Sequence, residues 1–181
     1  MMRIKLTMFF ISMMVSMQTY ALGIEIGGGD KFQYLNAGLG SPGTPGFSLQ
    51  ANVIRNDDNG TVAGPVIGFG IPLGPIVFSP GSRLAYLKPE HGKKSYVAAP
   101  GAGISIELND DLSIFGEYWY SPNELSDGVE NYQEAATGVR YTVIRPLTLS
   151  IGYRFSKMKG QDGNSDNVLA DGVYLGGSIY F

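Results

Sequence analysis

Gly172-Val173-Tyr174-Leu175-Gly176-Gly177-Ser178-Ile179-Tyr180-Phe181 decides the fold. Val173, Leu175, Ile179 and Phe181 fall on one face, and Tyr174, Gly176, Ser178 and Tyr180 on the other. An alternation of 180° per residue marks a β-strand that separates two different environments. Phe181 is the last residue, so the pattern runs to an aromatic with no polar tail behind it.

A strand of this form resembles the closing strand of a bacterial outer-membrane β-barrel. On that reading Val173, Leu175, Ile179 and Phe181 form the signal that the barrel assembly machinery engages. The other end of the chain agrees. Arg3 and Lys5 precede an apolar stretch from Leu6 to Val15, and Thr19-Tyr20-Ala21 places small residues at −3 and −1 of a cleavage site. That pattern predicts a cleaved signal peptide over 1–21, too short for a transmembrane helix, and a mature domain over 22–181. Six of the seven methionines precede Ala21, in keeping with a removed segment.

Composition narrows the class further. There is no Cys, which removes disulfides and thiolate metal sites, and the net charge of −3 has the wrong sign for a nucleic-acid binder. All 26 glycines follow Ala21, and the same region holds almost no helix-forming run. An all-β single domain follows.

Turn signals divide the mature region into ten alternating segments: Leu22–Gly28, Phe32–Gly40, Gly46–Arg55, Thr61–Ile71, Ile76–Lys88, Ser95–Leu108, Leu112–Tyr120, Tyr132–Ile144, Leu147–Met158 and Gly172–Phe181. Tight connections such as Pro72-Leu73-Gly74-Pro75 and Arg145-Pro146 alternate with longer polar ones such as Ser121 to Asn131 and Lys159 to Asp171. The expectation is an up-and-down antiparallel transmembrane β-barrel of ten strands, with short periplasmic turns and longer outer loops. Gly29-Asp30-Lys31 is short for an outer connection, and eight strands is the alternative count.

Strand parity assigns the faces. Leu112, Ile114, Tyr118 and Tyr120, and Leu147, Leu149, Ile151, Tyr153 and Phe155, form apolar bands with aromatics near one end, suited to outer-membrane lipid. A soluble sandwich would carry the same periodicity; the signal segment, Phe181 and the scarcity of Lys on the strands favour the membrane. The opposite faces collect Glu25, Arg83, Glu107, Glu117, Glu134, Arg140 and Arg154. Charges in a narrow lumen must pair and hydrogen-bond, and Arg suits carboxylate. The expected result is a salt-bridge core that plugs the barrel; a narrow polar conduit is the alternative.

Pro65, Pro80 and Pro100 interrupt three consecutive strands. Proline lacks an N–H and belongs at edges or bulges, so bulges that bend the wall are expected, with a lateral opening as the sharper alternative. Other motifs carry less. Gly38-Leu39-Gly40-Ser41-Pro42-Gly43 fits G-x-G-x-x-G, but prolines and a strand follow where a dinucleotide site needs a helix. Asp162, Asn164 and Asp166 match the first half of a calcium loop, with Asp171 as a substitute ligand. Asn167 stands in place of the loop glycine and Val173 in place of the final Glu, so a solvated outer loop is the preferred reading and no metal is expected. His91 is the one histidine, in a Lys-rich loop with Glu90 and Ser95 adjacent in sequence only, and no catalytic residue is assigned.

Phe115-Gly116-Glu117-Tyr118-Trp119-Tyr120-Ser121-Pro122, Tyr132-Gln133-Glu134-Ala135, Gly152-Tyr153-Arg154 and the run from Asp162 to Gly172 resemble the YfaZ family of small Gram-negative outer-membrane proteins. Asp57-Asp58-Asn59-Gly60 and Ile71-Pro72-Leu73-Gly74-Pro75 match as well, so the resemblance spans the mature chain and is densest after Leu112. Trp119 stands where a tyrosine is more familiar. The resemblance implies an outer-membrane location and a barrel, and it implies no reaction. Glu117, Glu134 and Arg154 belong both to its pattern and to the lumen set. The functional expectation is a non-enzymatic envelope barrel without cofactor. A narrow pore, an adhesin-like surface binder and a lipid-modifying barrel enzyme are the alternatives. Its expected partners are membrane lipid and the assembly machinery.

Overall fold

A computed structural model describes residues 22–40, 43–89, 94–160 and 166–181. The signal segment 1–21, His91, Asp162 and Asn164 therefore lie outside the described residues.

The chain forms β1 (Leu22–Gly29), β2 (Phe32–Leu39), β3 (Gly46–Asn56), β4 (Gly60–Leu73), β5 (Ile76–Pro89), β6 (Ser95–Glu107) and β7 (Leu112–Ser121). A 3₁₀ turn at Asn123–Leu125 and a two-residue strand β8 (Ser126–Asp127) follow, then β9 (Val129–Ile144), β10 (Leu147–Gly160) and β11 (Asn167–Tyr180). Each wall strand pairs antiparallel with the next, β7 pairs with β9, and β1 pairs with β11 from Gly23↔Tyr180 to Gly29↔Tyr174. Ten strands thus close a barrel, and closure removes the edge that an open sheet would expose. β8 caps the outer end of β6 through Tyr96↔Asp127 and Val97↔Ser126.

The register on β11 is the one its alternation predicts. Val173, Leu175, Ile179 and Phe181 are exposed on the outer face, whereas Tyr174 and Ser178 are buried inside. Ile24 and Ile26, Leu149 and Ile151, and Ile67 and Phe69 continue the outward apolar band on other strands. Tyr96, Tyr118 and Tyr120 lie toward the outer end, and Phe47, Tyr141 and Phe181 toward the inner end, as two aromatic girdles. A surface of this kind is stable only against hydrocarbon. Replacing Leu175, 67 % exposed on that band, with Arg is expected to destabilise the barrel by about 2–4 kcal/mol when unfolding is followed in lipid vesicles. The same change at Leu22, at the inner end of β1, should cost about 1 kcal/mol or less, as interfacial positions do.

Three sequence expectations are corrected. The prolines do not sit in bulges. The β3–β4, β4–β5 and β5–β6 ladders keep one register past Pro65, Pro80 and Pro100, and only individual rungs are missing, at Gly64–Pro65 and Phe69–Gly70 of the β4–β5 pair. All three prolines point outward, and Ala85, Val97 and Ala99 behind them are packed at 0–4 % exposure. The register shifts occur instead on β10, between Ser156 and Lys157 and near both ends of its ladder with β9. β11 begins at Asn167 rather than Gly172, because the irregularity opposite Ser156–Lys157 lets both Leu169 and Ala170 turn inside. The loop after β7 carries the 3₁₀ turn and β8, neither of which was anticipated.

The interior has three levels. Toward the outer end Phe32, Ile54, Val62, Leu87, Trp119, Met158 and Leu169 fill the lumen, none more than 3 % exposed. Gly101 is required there, because a Cβ would strike the backbone of β7 and the Trp119 ring. Below this apolar level lies a charged one, and toward the inner end the lining changes to small polar residues such as Ser48, Ser105, Ser113, Thr142 and Thr148.

Candidate functional site

The charges of this level come from five strands, β1, β5, β7, β9 and β10. Arg83 on β5 meets Glu134 on β9 with Nη1 2.5 Å from Oε2, both side chains being almost wholly buried. Arg83 Nη2 also donates to Asn52 Oδ1 on β3, and Asn52 Nδ2 to Asn36 Oδ1 on β2. Tyr132 Oη donates to the same Glu134 oxygen at 2.5 Å. Arg154 on β10 lies 3.6 Å from Glu117 on β7 and 3.9 Å from Glu134. Its guanidinium stacks 4.2 Å above Tyr34 and 5.6 Å from Tyr174, two rings packed edge to face. Glu25 on β1 accepts hydrogen bonds from Tyr34 Oη at 3.0 Å and Asn36 Nδ2 at 3.3 Å.

Of the seven charges assigned to the lumen from sequence, Arg83, Glu117, Glu134 and Arg154 form one ion-pair network. Glu25 joins it through Tyr34 and Asn36. Arg140 and Glu107 do not join it. Arg140 faces inward on β9 and lies 3.8 Å over the Phe115 ring without an ion pair among the described residues. Glu107 is exposed at the inner end of β6. Sequence parity missed the contribution of Tyr34, Tyr132, Asn36 and Asn52, all inward-facing and uncharged. Their signal was parity too, had it been applied to neutral hydrogen-bonding residues.

At the outer rim Asp166 pairs with Lys157 at 2.7 Å, and Lys159 with Glu130 at 2.8 Å. The hydrogen bond from Lys157 holds the Asp166 carboxyl below the ordinary range. Asp171 faces outward on β11 and accepts from Tyr153 Oη. The two described members of the calcium-loop motif, Asp166 and Asp171, thus have other partners, and no group of three metal-binding side chains occurs among the described residues.

The family description "YfaZ precursor" matches residues 1–181. The chain belongs to the YfaZ family. Outer membrane protein YfaZ of Escherichia coli (strain K12) is 39 % identical over 169 residues, 93 % of each chain. Among solved structures, the NanC porin superposes with a TM-score of 0.52 at 12 % identity, covering 89 % of this chain and 100 % of that one. The outer membrane channel DcaP of Acinetobacter baumannii gives a TM-score of 0.48 at 14 % identity, covering 88 % of this chain and 62 % of that one. The NanC likeness shows the fold alone. With the YfaZ relationship, it makes the chain an outer-membrane β-barrel protein, as its outward apolar band and closed topology require.

Proposed function

We propose that this YfaZ protein is a non-enzymatic, non-conducting envelope barrel, exported by residues 1–21 and matured before Leu22, where β1 begins. The observation that carries this reading is the filled outer lumen. Apolar side chains at most 3 % exposed lie directly above a buried ion-pair network, which leaves two successive barriers to a hydrated ion. The outer loops offer little to a surface partner among the described residues: Val129 and Leu169 are buried, Val168 is half-buried and Leu125 is exposed. The acids that a catalytic reading would use are engaged by Arg83, Arg154 and tyrosines. Outer-membrane lipid would meet the apolar band, and the assembly machinery would engage the closing strand.

Planar-bilayer recording of the refolded full-length mature protein tests the seal. No steady conductance is expected. A steady, ion-selective conductance that changes in Arg154→Gln would replace this reading with the narrow-pore alternative.

A further inference from the structure

The charged level is not saturated on its inner side. Arg154 Nε and Nη1, Tyr174 Oη and Ser150 Oγ are buried without a hydrogen bond of good geometry among the described residues, as are Ser79 Oγ, Arg83 Nε and Glu134 Oε1; Nη1 faces Glu134 Oε1 at 3.9 Å and Ser150 Oγ lies beside Tyr34. Arg154, Tyr174 and Ser150 are 3 %, 1 % and 6 % exposed. The large majority of buried polar groups in native proteins are satisfied, so four such atoms on the adjoining strands β10 and β11 call for something between them.

The register shows where. Along β9 and β10 the inward pairs run Ala136↔Arg154, Gly138↔Gly152, Arg140↔Ser150. The middle pair has no side chains, so a gap separates the Arg154 level from the Arg140 level. The ring of Tyr174, across from Gly152 on β11, occupies part of that gap; a Cβ on Gly152 would lie 2.9–3.0 Å from its Cε1 and Oη. Arg140 closes the inner side. Phe115 covers one face of its guanidinium at 3.8 Å and no ion pair engages it among the described residues, and an Arg fork is suited to bidentate recognition of an oxyanion. Glu117 and Glu134 approach Arg154 at 3.6 and 3.9 Å, near enough to attract it and too far to saturate its donors.

We propose that this gap is a binding site for a small oxyanion, a carboxylate or phosphate group, held between Arg140 and Arg154 with Tyr174 Oη and Ser150 Oγ as further donors, and reached from the periplasmic mouth. The direction of entry follows from the three levels of the lumen. The outer end is filled with apolar side chains, whereas Arg140, Ser113, Thr142 and Thr148 toward the inner end are only half-buried. The inference goes beyond the sealed-barrel reading: a solute would dock from one side without crossing.

The test is titration of the refolded mature protein with inorganic phosphate, and separately with acetate, followed by calorimetry and by NMR of the Arg Nε–H resonances. Chloride at matched ionic strength is the control. Saturable shifts of Arg140 and Arg154, with Arg83 unmoved, are expected for one or both oxyanions and not for chloride. Arg140→Gln should weaken binding by about tenfold or more. Tyr174→Phe keeps the ring, removes one donor and should weaken binding severalfold, and it guards against a folding defect in the first variant. Shifts that never saturate, equal shifts with chloride, or unchanged affinity in both variants would overturn the proposal. Phosphate binding without acetate would point to phosphorylated solutes, and the reverse to carboxylates.

Discussion

Glu134→Leu is expected to destabilise the barrel by about 3–5 kcal/mol, the cost of leaving a buried cation without its counter-charge. Glu134 is fully buried, and its Oε2 serves both Arg83 at 2.5 Å and Tyr132 Oη at 2.5 Å. Removing it strands Arg83, itself 2 % exposed, with Asn52 as its remaining partner in the network. The measurement is reversible urea unfolding in lipid vesicles. Adding Arg83→Met to Glu134→Leu should recover most of the loss, because a well-packed apolar pair avoids the desolvation that both ions incur. A loss below about 1 kcal/mol in the single variant would mean that water reaches the pair and screens it.

Trp119→Ala should cost a similar amount by a different route. Trp119 is 3 % exposed inside the outer lumen, and its ring lies against Gly101, which has no Cβ to obstruct it. Truncation leaves a cavity that the surrounding strands, fixed by their ladders, cannot collapse into, and deletions of this kind cost about 3–5 kcal/mol. Unfolding in the same vesicles checks it. Trp119→Tyr, which retains most of the ring volume, should cost well under half as much as the alanine.

The wall of the barrel was legible in the sequence because a membrane strand faces two solvents. Leu175 outside and Tyr174 inside are adjacent residues with opposite surroundings, and such pairs set parity along the chain. The same rule found Arg83, Glu117, Glu134 and Arg154. It could not pair them, since Arg83 and Glu134 stand on β5 and β9, which share no ladder and meet only across the lumen. The apolar outer level was hidden for a related reason. Leu87 and Val97 point inward beside outward Tyr86 and Tyr96, so both faces are apolar and the alternation fades where the lumen turns dry. The early start of β11 was hidden because Leu169 and Ala170 both turn inside and break the period.

The seam between β1 and β11 has a kinetic consequence. Its rungs join Gly23 to Tyr180 and Gly29 to Tyr174, the longest sequence separations of any ladder among the described residues, while every other wall ladder links strands that follow one another along the chain, with only the short β8 between β7 and β9. The entropy of closing so long a loop must be met before a single rung repays it. The hairpins can therefore zip early, but until that last encounter both β1 and β11 present bare N–H and C=O groups. In hydrocarbon no water is available to satisfy them, so the open sheet is a state the membrane itself rejects.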